Sequence, residues 1–387
     1  MKNILSSRVL NIEESKTVGL ASIINDLKNQ GQTIISLNVG EPDFATPEPI
    51  KEATIAAIKE NHTRYSLVSG VVQLRTEIKH KLKIENNIDV SIDQIVLSNG
   101  SKQTLYNIFQ ALLNPGDEVI IPVPYWVTFP ESVKLAGGIP RFVKCDPVSF
   151  QIDLEDLEKN INAKTKIILV NTPNNPTGAI YPQETLTKIA NIAKKHDLVI
   201  VSDEAYERLT YDEQDHFSIA SLDTETQKRT ITVQSFSKSY CMTGFRQGYM
   251  VAEKEICTAV NKLQGHLTGN NCTFSQYGAI RALQMDSSVW EEMKAEFDKR
   301  RKLAFNLFSS LFKCQMPQGA FYLFMNVEDH FKGEVQNCEQ FASMLLKKAK
   351  VAVVPGIAFG LPGHIRLSYA ASEADIQKAY EQIKSVL

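Results

Sequence analysis

Lys238 is the residue best placed for covalent chemistry. It stands in SFSKSYCMTGFR (235–246), a Ser-rich stretch just past a strand-like run, and Arg246 closes that stretch. An amine beside cations or apolar groups has a depressed pKa and attacks carbonyls. Ser235, Ser237 and Arg246 carry the donors to hold a phosphate while Lys238 holds an aldehyde. A solvated surface lysine is the plain alternative. Asn99-Gly100-Ser101-Lys102 offers a second anion site. A strand feeding a helix through Gly and Ser leaves free N–H groups, and these attract phosphate together with the helix dipole. The same residues also suit an ordinary cap by Ser101 with Gly100 in the turn. Their spacing is not that of a Walker A loop, so an ATPase reading has little support. Two more polar clusters, Asn171 to Gly178 and Asp203-Glu204-Ala205-Tyr206, also end strand-like runs.

The elements that must position these groups are legible as runs and periods. QIVL (94–97), EVIIPV (118–123), KIILV (166–170), LVIVS (198–202), TITVQ (230–234) and GYMVA (248–252) read as short strands, apolar on both faces. Leu105, Ile108, Phe109, Leu112 and Leu113 have the spacing of one helix face. Residues 183–196 form a second helical stretch. Strand–helix alternation predicts an α/β fold, a mostly parallel sheet covered by helices. Such a sheet binds ligands at the carboxyl ends of its strands, where all four polar clusters fall. The last part differs. Helical stretches at 288–312 and 337–349 flank AFYLFMNV (320–327), and VAVVPG and IRLSYA follow, which suits a smaller α+β unit.

Composition narrows the partners. The 387 residues carry 42 Lys plus Arg against 44 Asp plus Glu, a net charge of -2. That balance argues against a basic nucleic-acid surface. No apolar run reaches the length of a membrane helix, and residues 1–16 lack the apolar core of a signal peptide. Cys145, Cys241, Cys257, Cys272, Cys314 and Cys338 form no CxxC pair, and no His pair has zinc-like spacing, so no metal site is expected. Reduced thiols in a cytoplasmic protein are the expectation.

The S-x-S-K-x(7)-R pattern around Lys238 resembles the pyridoxal-phosphate attachment signature of fold-type I aminotransferases, classes I and II. NTPNNPTG (171–178), SDEAY (202–206), GEPDF (40–44) and HIRLSYA (364–370) match further motifs of that family in the same order. The resemblance runs over nearly the whole chain and is closest to the bacterial aspartate aminotransferase branch. It implies a seven-stranded sheet in a large α/β domain over 46–289. A small α+β domain would comprise 1–45 plus 290–387. It also implies pyridoxal 5'-phosphate as cofactor and a homodimer with shared active sites.

The resemblance implies a role for each residue. Lys238 is the Schiff-base lysine and the base that moves the substrate proton. Asp203 pairs with the pyridine nitrogen, although alone it would also suit a helix N-cap. Tyr206 and Asn175 hydrogen-bond the phenolic oxygen, and Asp203 and Tyr206 face one ligand if a helical turn begins between them. Trp126 stacks on the ring, where a buried core Trp is the alternative. Gly100, Ser101, Lys102, Ser235, Ser237 and Arg246 hold the phosphate, joined by Tyr65 of the neighbouring subunit. Arg366 grips the α-carboxylate in a bidentate fork, though outside the family context a surface salt bridge would serve equally well. Asn175 and Gly40 border the substrate. The X-Pro bonds at Val123-Pro124 and Asn175-Pro176 are candidates for cis geometry.

Substrate choice rests on less. In the branch it resembles, a lysine at the phosphate-loop helix start reads the distal carboxylate, and Lys102 matches that position, although a surface role fits it as well. The expectation is ping-pong exchange between L-aspartate and 2-oxoglutarate, with Lys16, Thr17 and the N-terminal segment closing over the site. Aromatic, prephenate, alanine or kynurenine transamination would use the same cofactor residues. So would a β-lyase or decarboxylase, which pyruvate release would reveal in the lyase case. A non-catalytic effector-binding module is disfavoured, because the chain has no spare length or basic charge for a DNA-binding domain.

Overall fold

The computed structural model describes residues 4–14 and 16–387. The strand-like runs assemble into one seven-stranded sheet. Across it the strands lie in the order Ile95–Asn99, Gln247–Val251, Thr230–Ser235, Val199–Asp203, Thr165–Asn171, Glu118–Val123 and Ile139–Lys144. Gln247–Val251 runs antiparallel to both neighbours, and the other pairings are parallel.

Side chains alternate between faces along a strand, so a doubly covered strand must be apolar throughout. Ile167 and Leu169 pack on one side with Leu105, Ile108 and Phe109 of helix Ser101–Leu112. Ile168 and Val170 pack on the other with Leu186, Ile189 and Ala193 of helix Gln183–Lys195. The strand that the pattern does not mark is Ile139–Lys144. It lies at the sheet edge and only Val143 is buried, so no two-faced apolar run betrays it.

A second, four-stranded antiparallel sheet orders Val354–Pro355, His364–Ser368, Tyr322–Asn326 and Lys313–Cys314. Helices Ser288–Phe308 and Glu373–Lys384 pack on it through Phe297, Ala304, Phe308, Ile376 and Ile383. The first of these helices ends at Phe308, four residues short of the predicted limit. The helix predicted over 337–349 is α-helical over Cys338–Met344 and closes as a π-helical turn, Leu345–Ala349. The amino-terminal strand Ile35–Ser36 pairs in parallel with Val351–Ala352. Leu37 then accepts a hydrogen bond from Ser368 N–H at 2.7 Å, which delivers Asn38, Val39 and Gly40 to the gap between the two sheets.

Val123-Pro124 is cis, as expected. Asn175-Pro176 is not; the second cis bond is Thr172-Pro173. Asn175 and Pro176 instead sit inside a turn closed by Gly178 N–H donating to Asn174 O at 2.8 Å. The side chains of Lys16 and Thr17 lie outside the described residues. Among the described residues no helix is long and apolar enough to cross a membrane. All six cysteines are free.

The sheet meets the Asn99–Lys102 cluster through Gly248. A Cβ there would stand 2.4 Å from Ser101 N and 2.6 Å from Gly100 C, which are backbone atoms that cannot swing aside. Gly248→Ala should therefore lower stability by about 1–3 kcal/mol, the scale of overpacking. Urea unfolding measures it, and a midpoint equal to wild type would show that the helix start yields freely.

Candidate active site

Because neighbouring strands are parallel and in register, their polar carboxyl ends line up on one edge. Asn171 pairs with Asp203, and Asp203 pairs with Val233, two residues before Ser235. A cavity of about 340 Å³ opens there, within the range of small-ligand sites. Gly40, Ser101, Trp126, Asn175, Asp203, Tyr206, Lys238 and Arg366 line it, with Asn38, Val39, Asn171, Ala205 and Tyr322.

Lys238 lies in the short helix Phe236–Ser239, capped by the Ser235 hydroxyl, which accepts from Ser237 N–H at 3.1 Å. Its ammonium donates to Gly40 O at 2.6 Å. Burial lowers its pKa to about 8; Glu41 opposes the shift, and Arg246, Arg366 and Lys102 add to it. The amine is thus poised between donor and nucleophile near neutral pH.

Asp203 moves the other way. Burial pushes its carboxyl up to about 7, against a hydrogen bond from Ala205 N–H and with help from the charge of Glu204. No cation among the described residues pairs with it, so a positively charged ligand atom would restore its ionised form. Residues after Asp203 form a turn and no helix begins there, so it is not an N-cap. Tyr206 nevertheless returns to the same cavity.

Arg366 is 3% exposed and has no acidic partner among the described residues. Nη1 donates to Asn175 Oδ1 and Nη2 to Asn38 O, each at 2.9 Å, while Nε is buried without an acceptor. The guanidinium carbon stands 4.4 Å from the Tyr322 ring centroid and 4.9 Å from that of Phe359. A surface salt bridge is excluded. A buried cation held by neutral groups is costly, and an anion beside it would offset that cost. Gly40 leaves room for one: a Cβ there would stand 3.2 Å from Tyr322 Oη and 4.0 Å from Arg366 Nη2.

The phosphate-type residues gather at the rim. Helix Ser101–Leu112 has Gly100 as its N-cap, at φ 79, with no side-chain cap, so Ser101 does not cap it and no capping side chain takes its first N–H groups. Arg246 packs against this turn. Its Nη2 would lie 2.5 Å from a Gly100 Cβ, and it donates to Asn99 O at 3.1 Å. Lys102 stands 5.2 Å above the Trp126 ring, its pKa lowered by burial and then by Arg246. Lys102 and Arg246 line a neighbouring cavity of about 590 Å³, together with Glu13, Glu14, Tyr106 and Tyr125. Gly100, Ser235 and Ser237 are not on the lining of the Lys238 cavity. Tyr65 is 96% exposed and does not reach the cavity within its own chain.

Asn171, which heads the polar cluster Asn171 to Gly178, lines the cavity, as do Tyr322 and Asn38, which were not anticipated from the sequence. Asn38 stands two residues before GEPDF, so adjacency was its available signal. Tyr322 has only its place in a strand.

This is the site and fold of an amine-handling transferase. A sequence profile described as aminotransferase class I and II matches residues 32–383, and the chain belongs to that family; it is an aminotransferase. It is 42% identical over 395 residues to the probable aspartate/prephenate aminotransferase of Rickettsia conorii, covering 100% of this chain and 98% of that one. It is 40% identical over 388 residues to the aspartate aminotransferase of Bacillus subtilis, covering 98% of each. Among solved structures, the aspartate aminotransferase of Thermus thermophilus with maleate superposes with a TM-score of 0.95 at 39% identity, covering 100% of both chains.

Only a neutral amine attacks a carbonyl, so capture of a small aldehyde by Lys238 should rise as pH increases through about 8 and level off above it. Borohydride trapping, read as a mass increment on the Lys238 peptide, checks this. An onset at the ordinary lysine value near 10.5 would contradict the depressed pKa.

Proposed function

We propose that the Lys238 cavity takes pyridoxal 5'-phosphate and that the enzyme transfers the amino group of L-aspartate to 2-oxoglutarate, yielding oxaloacetate and L-glutamate. The observation that carries this reading is the grouping of three buried groups in one cavity: an amine lowered to about 8, a carboxyl raised to about 7 and a guanidinium without a carboxylate. Each lacks the partner that a phosphorylated pyridine aldehyde and an amino acid would bring. The uncapped helix start at Gly100, with Arg246 against it, fits the phosphate. When bound, the cofactor supplies a carbonyl for amines and a sink for the electron pair left by the departing α-proton.

The chain's own residues do the rest. Lys238 Nζ takes the α-proton and returns it at the other end of the shift, a task suited to an amine with a pKa near 8. Asp203 holds the pyridine nitrogen protonated. Tyr206 and Asn175 donate to the phenolic oxygen, and Trp126 covers the ring. Ser101 and Lys102 N–H groups, the Ser235 and Ser237 hydroxyls and Arg246 hold the phosphate. Arg366 takes the α-carboxylate beside Asn175 and Gly40, and Lys102 takes the distal carboxylate. Two homologous relatives are named for aspartate, and a solved one carries the dicarboxylate maleate, which supports an acidic donor.

A second reading, prephenate as amino acceptor, is supported by the larger cavity beyond Lys102, with its Tyr106, Tyr125 and Phe142 lining, and by the name of the Rickettsia relative. We further propose a homodimer that shares its sites. Tyr65, Ile55, Ile58, Leu67 and Val72 stand exposed on one chain and would find a partner in a second copy. The core under the four-stranded sheet draws most of its residues from Ile35, Leu37 and the stretch from Met293 to Ile383, which supports a small domain of 1–45 plus 290–387; Ala205, Tyr206, Leu209 and Tyr211 join it from the large one of 46–289.

An absorbance spectrum tests the core of this reading. The purified protein with pyridoxal phosphate should show a band above about 350 nm that L-aspartate converts to shorter wavelength. A protein that stays colourless, or that responds only to other amino acids, would reject the cofactor or the donor respectively. Arg366→Ala should weaken donor binding by about 2–5 kcal/mol, the scale for a buried charged contact. An unchanged KM for aspartate would reassign Arg366 to the scaffold. Asp203→Asn should lower kcat by about 100-fold or more, and near-wild-type turnover would remove its assigned role.

A further inference from the structure

Tyr322 is fully buried in the wall of the Lys238 cavity. Its hydroxyl lies 2.8 Å from that of Tyr206. The face of its ring carries the Arg366 guanidinium at 4.4 Å. It therefore touches both the carboxylate clamp and the phenol beside the proposed cofactor ring.

A count of protons decides the direction of the Tyr206–Tyr322 bond. Arg366 has donors only, so Asn175 Oδ1 must face it and Asn175 Nδ2 must face Tyr206, where it donates to the hydroxyl at 3.5 Å. Each tyrosine hydroxyl has one proton. Burial pushes both phenols above their usual pKa, so both keep that proton. Among the described residues the Tyr322 hydroxyl has Tyr206 as its one hydrogen-bond partner. Were Tyr206 to donate to Tyr322, the Tyr322 proton would be buried without an acceptor, which is costly. With Tyr322 donating, Tyr206 accepts from Tyr322 and Asn175 and aims its own proton into the cavity. The guanidinium over the Tyr322 ring favours the same direction, because a cation makes the phenol beneath it the stronger donor.

We propose that Tyr322 is a positioning residue: its hydroxyl obliges Tyr206 to present a proton to the ligand's phenolic oxygen, and its ring seats Arg366. The inference rests on the pyridoxal-phosphate reading of the cavity. In that reading a proton donated to the phenolic oxygen lowers the pH midpoint of the bound cofactor's absorbance change. Hydrogen bonds in a chain strengthen one another, so Tyr322 lowers the midpoint through Tyr206.

The test is an absorbance titration of the cofactor-loaded enzyme. Tyr322→Phe keeps the ring and should raise the midpoint by about half to one pH unit, with affinity for maleate retained. Tyr322→Leu also removes the ring face and should weaken maleate binding by about three- to tenfold. In a Tyr206→Phe background, Tyr322→Phe should leave the midpoint where Tyr206→Phe alone puts it, a readout that general loosening of the fold would not reproduce. An unmoved midpoint in Tyr322→Phe overturns the proposal. So does a lowered one, which would make Tyr322 the acceptor. A wild-type protein with no cofactor absorbance overturns the functional reading beneath it, whereas a wild type that titrates alongside an identical Tyr322→Phe overturns only the role of Tyr322.

Discussion

A guanidinium sealed beneath the fold with no carboxylate partner among the described residues is the constraint around which the site is built. Desolvating Arg366 is expensive, and a permanent acid would be the usual compensation. Here the compensation is partial and neutral: a backbone carbonyl from Asn38, the amide of Asn175, and the faces of Tyr322 and Phe359. Nε is left without an acceptor. The charge is therefore only partly compensated, and the groups that hold it come from chain segments far apart in sequence.

The same burial acts in opposite directions on the other two ionisable groups. It lowers the pKa of Lys238 and raises that of Asp203, bringing a base from 10.5 to about 8 and an acid from 3.8 to about 7. Loss of solvent disfavours whichever form is charged, so one low-dielectric pocket moves both groups toward neutrality. Glu204, next in sequence to Asp203, is buried outside the cavity in a hydrogen-bonded network of its own. Its carboxylate faces away from the cavity and accepts from Ser202, Ser218 and Gln234 side chains, with His216 beside it.

Alignment of strand ends makes such a pocket possible. In a parallel sheet every carboxyl end emerges on the same edge, so the residues following four separate strands meet without any one loop being long. The antiparallel strand Gln247–Val251 adds to this by entering from Arg246 beside Gly100, with Gly248 packed against the helix start. The small sheet supplies the opposite wall through Tyr322 and Arg366, and the segment Asn38–Gly40 bridges the two.

The strands, the helix faces and the motif residues were legible in the sequence because all three are local signals. Two-faced apolar runs mark covered strands, and the groupings around Lys238, Asp203, Asn175 and Arg366 carried the chemistry. The edge strand Ile139–Lys144 was not legible, since exposure removes its apolar run. Neither was Tyr322, whose neighbours Tyr206 and Arg366 lie 116 and 44 residues away in the numbering. Residue order alone sets which groups are present and what period they ride on. Which of them are desolvated together came from the folded arrangement alone, and with it the lack of an acid beside Arg366 among the described residues, the lowered pKa of Lys238 and Gly100 rather than Ser101 as the cap of helix Ser101–Leu112. Burial and hydrogen-bond direction are properties of the surroundings, and the surroundings of each of these residues come from distant parts of the chain.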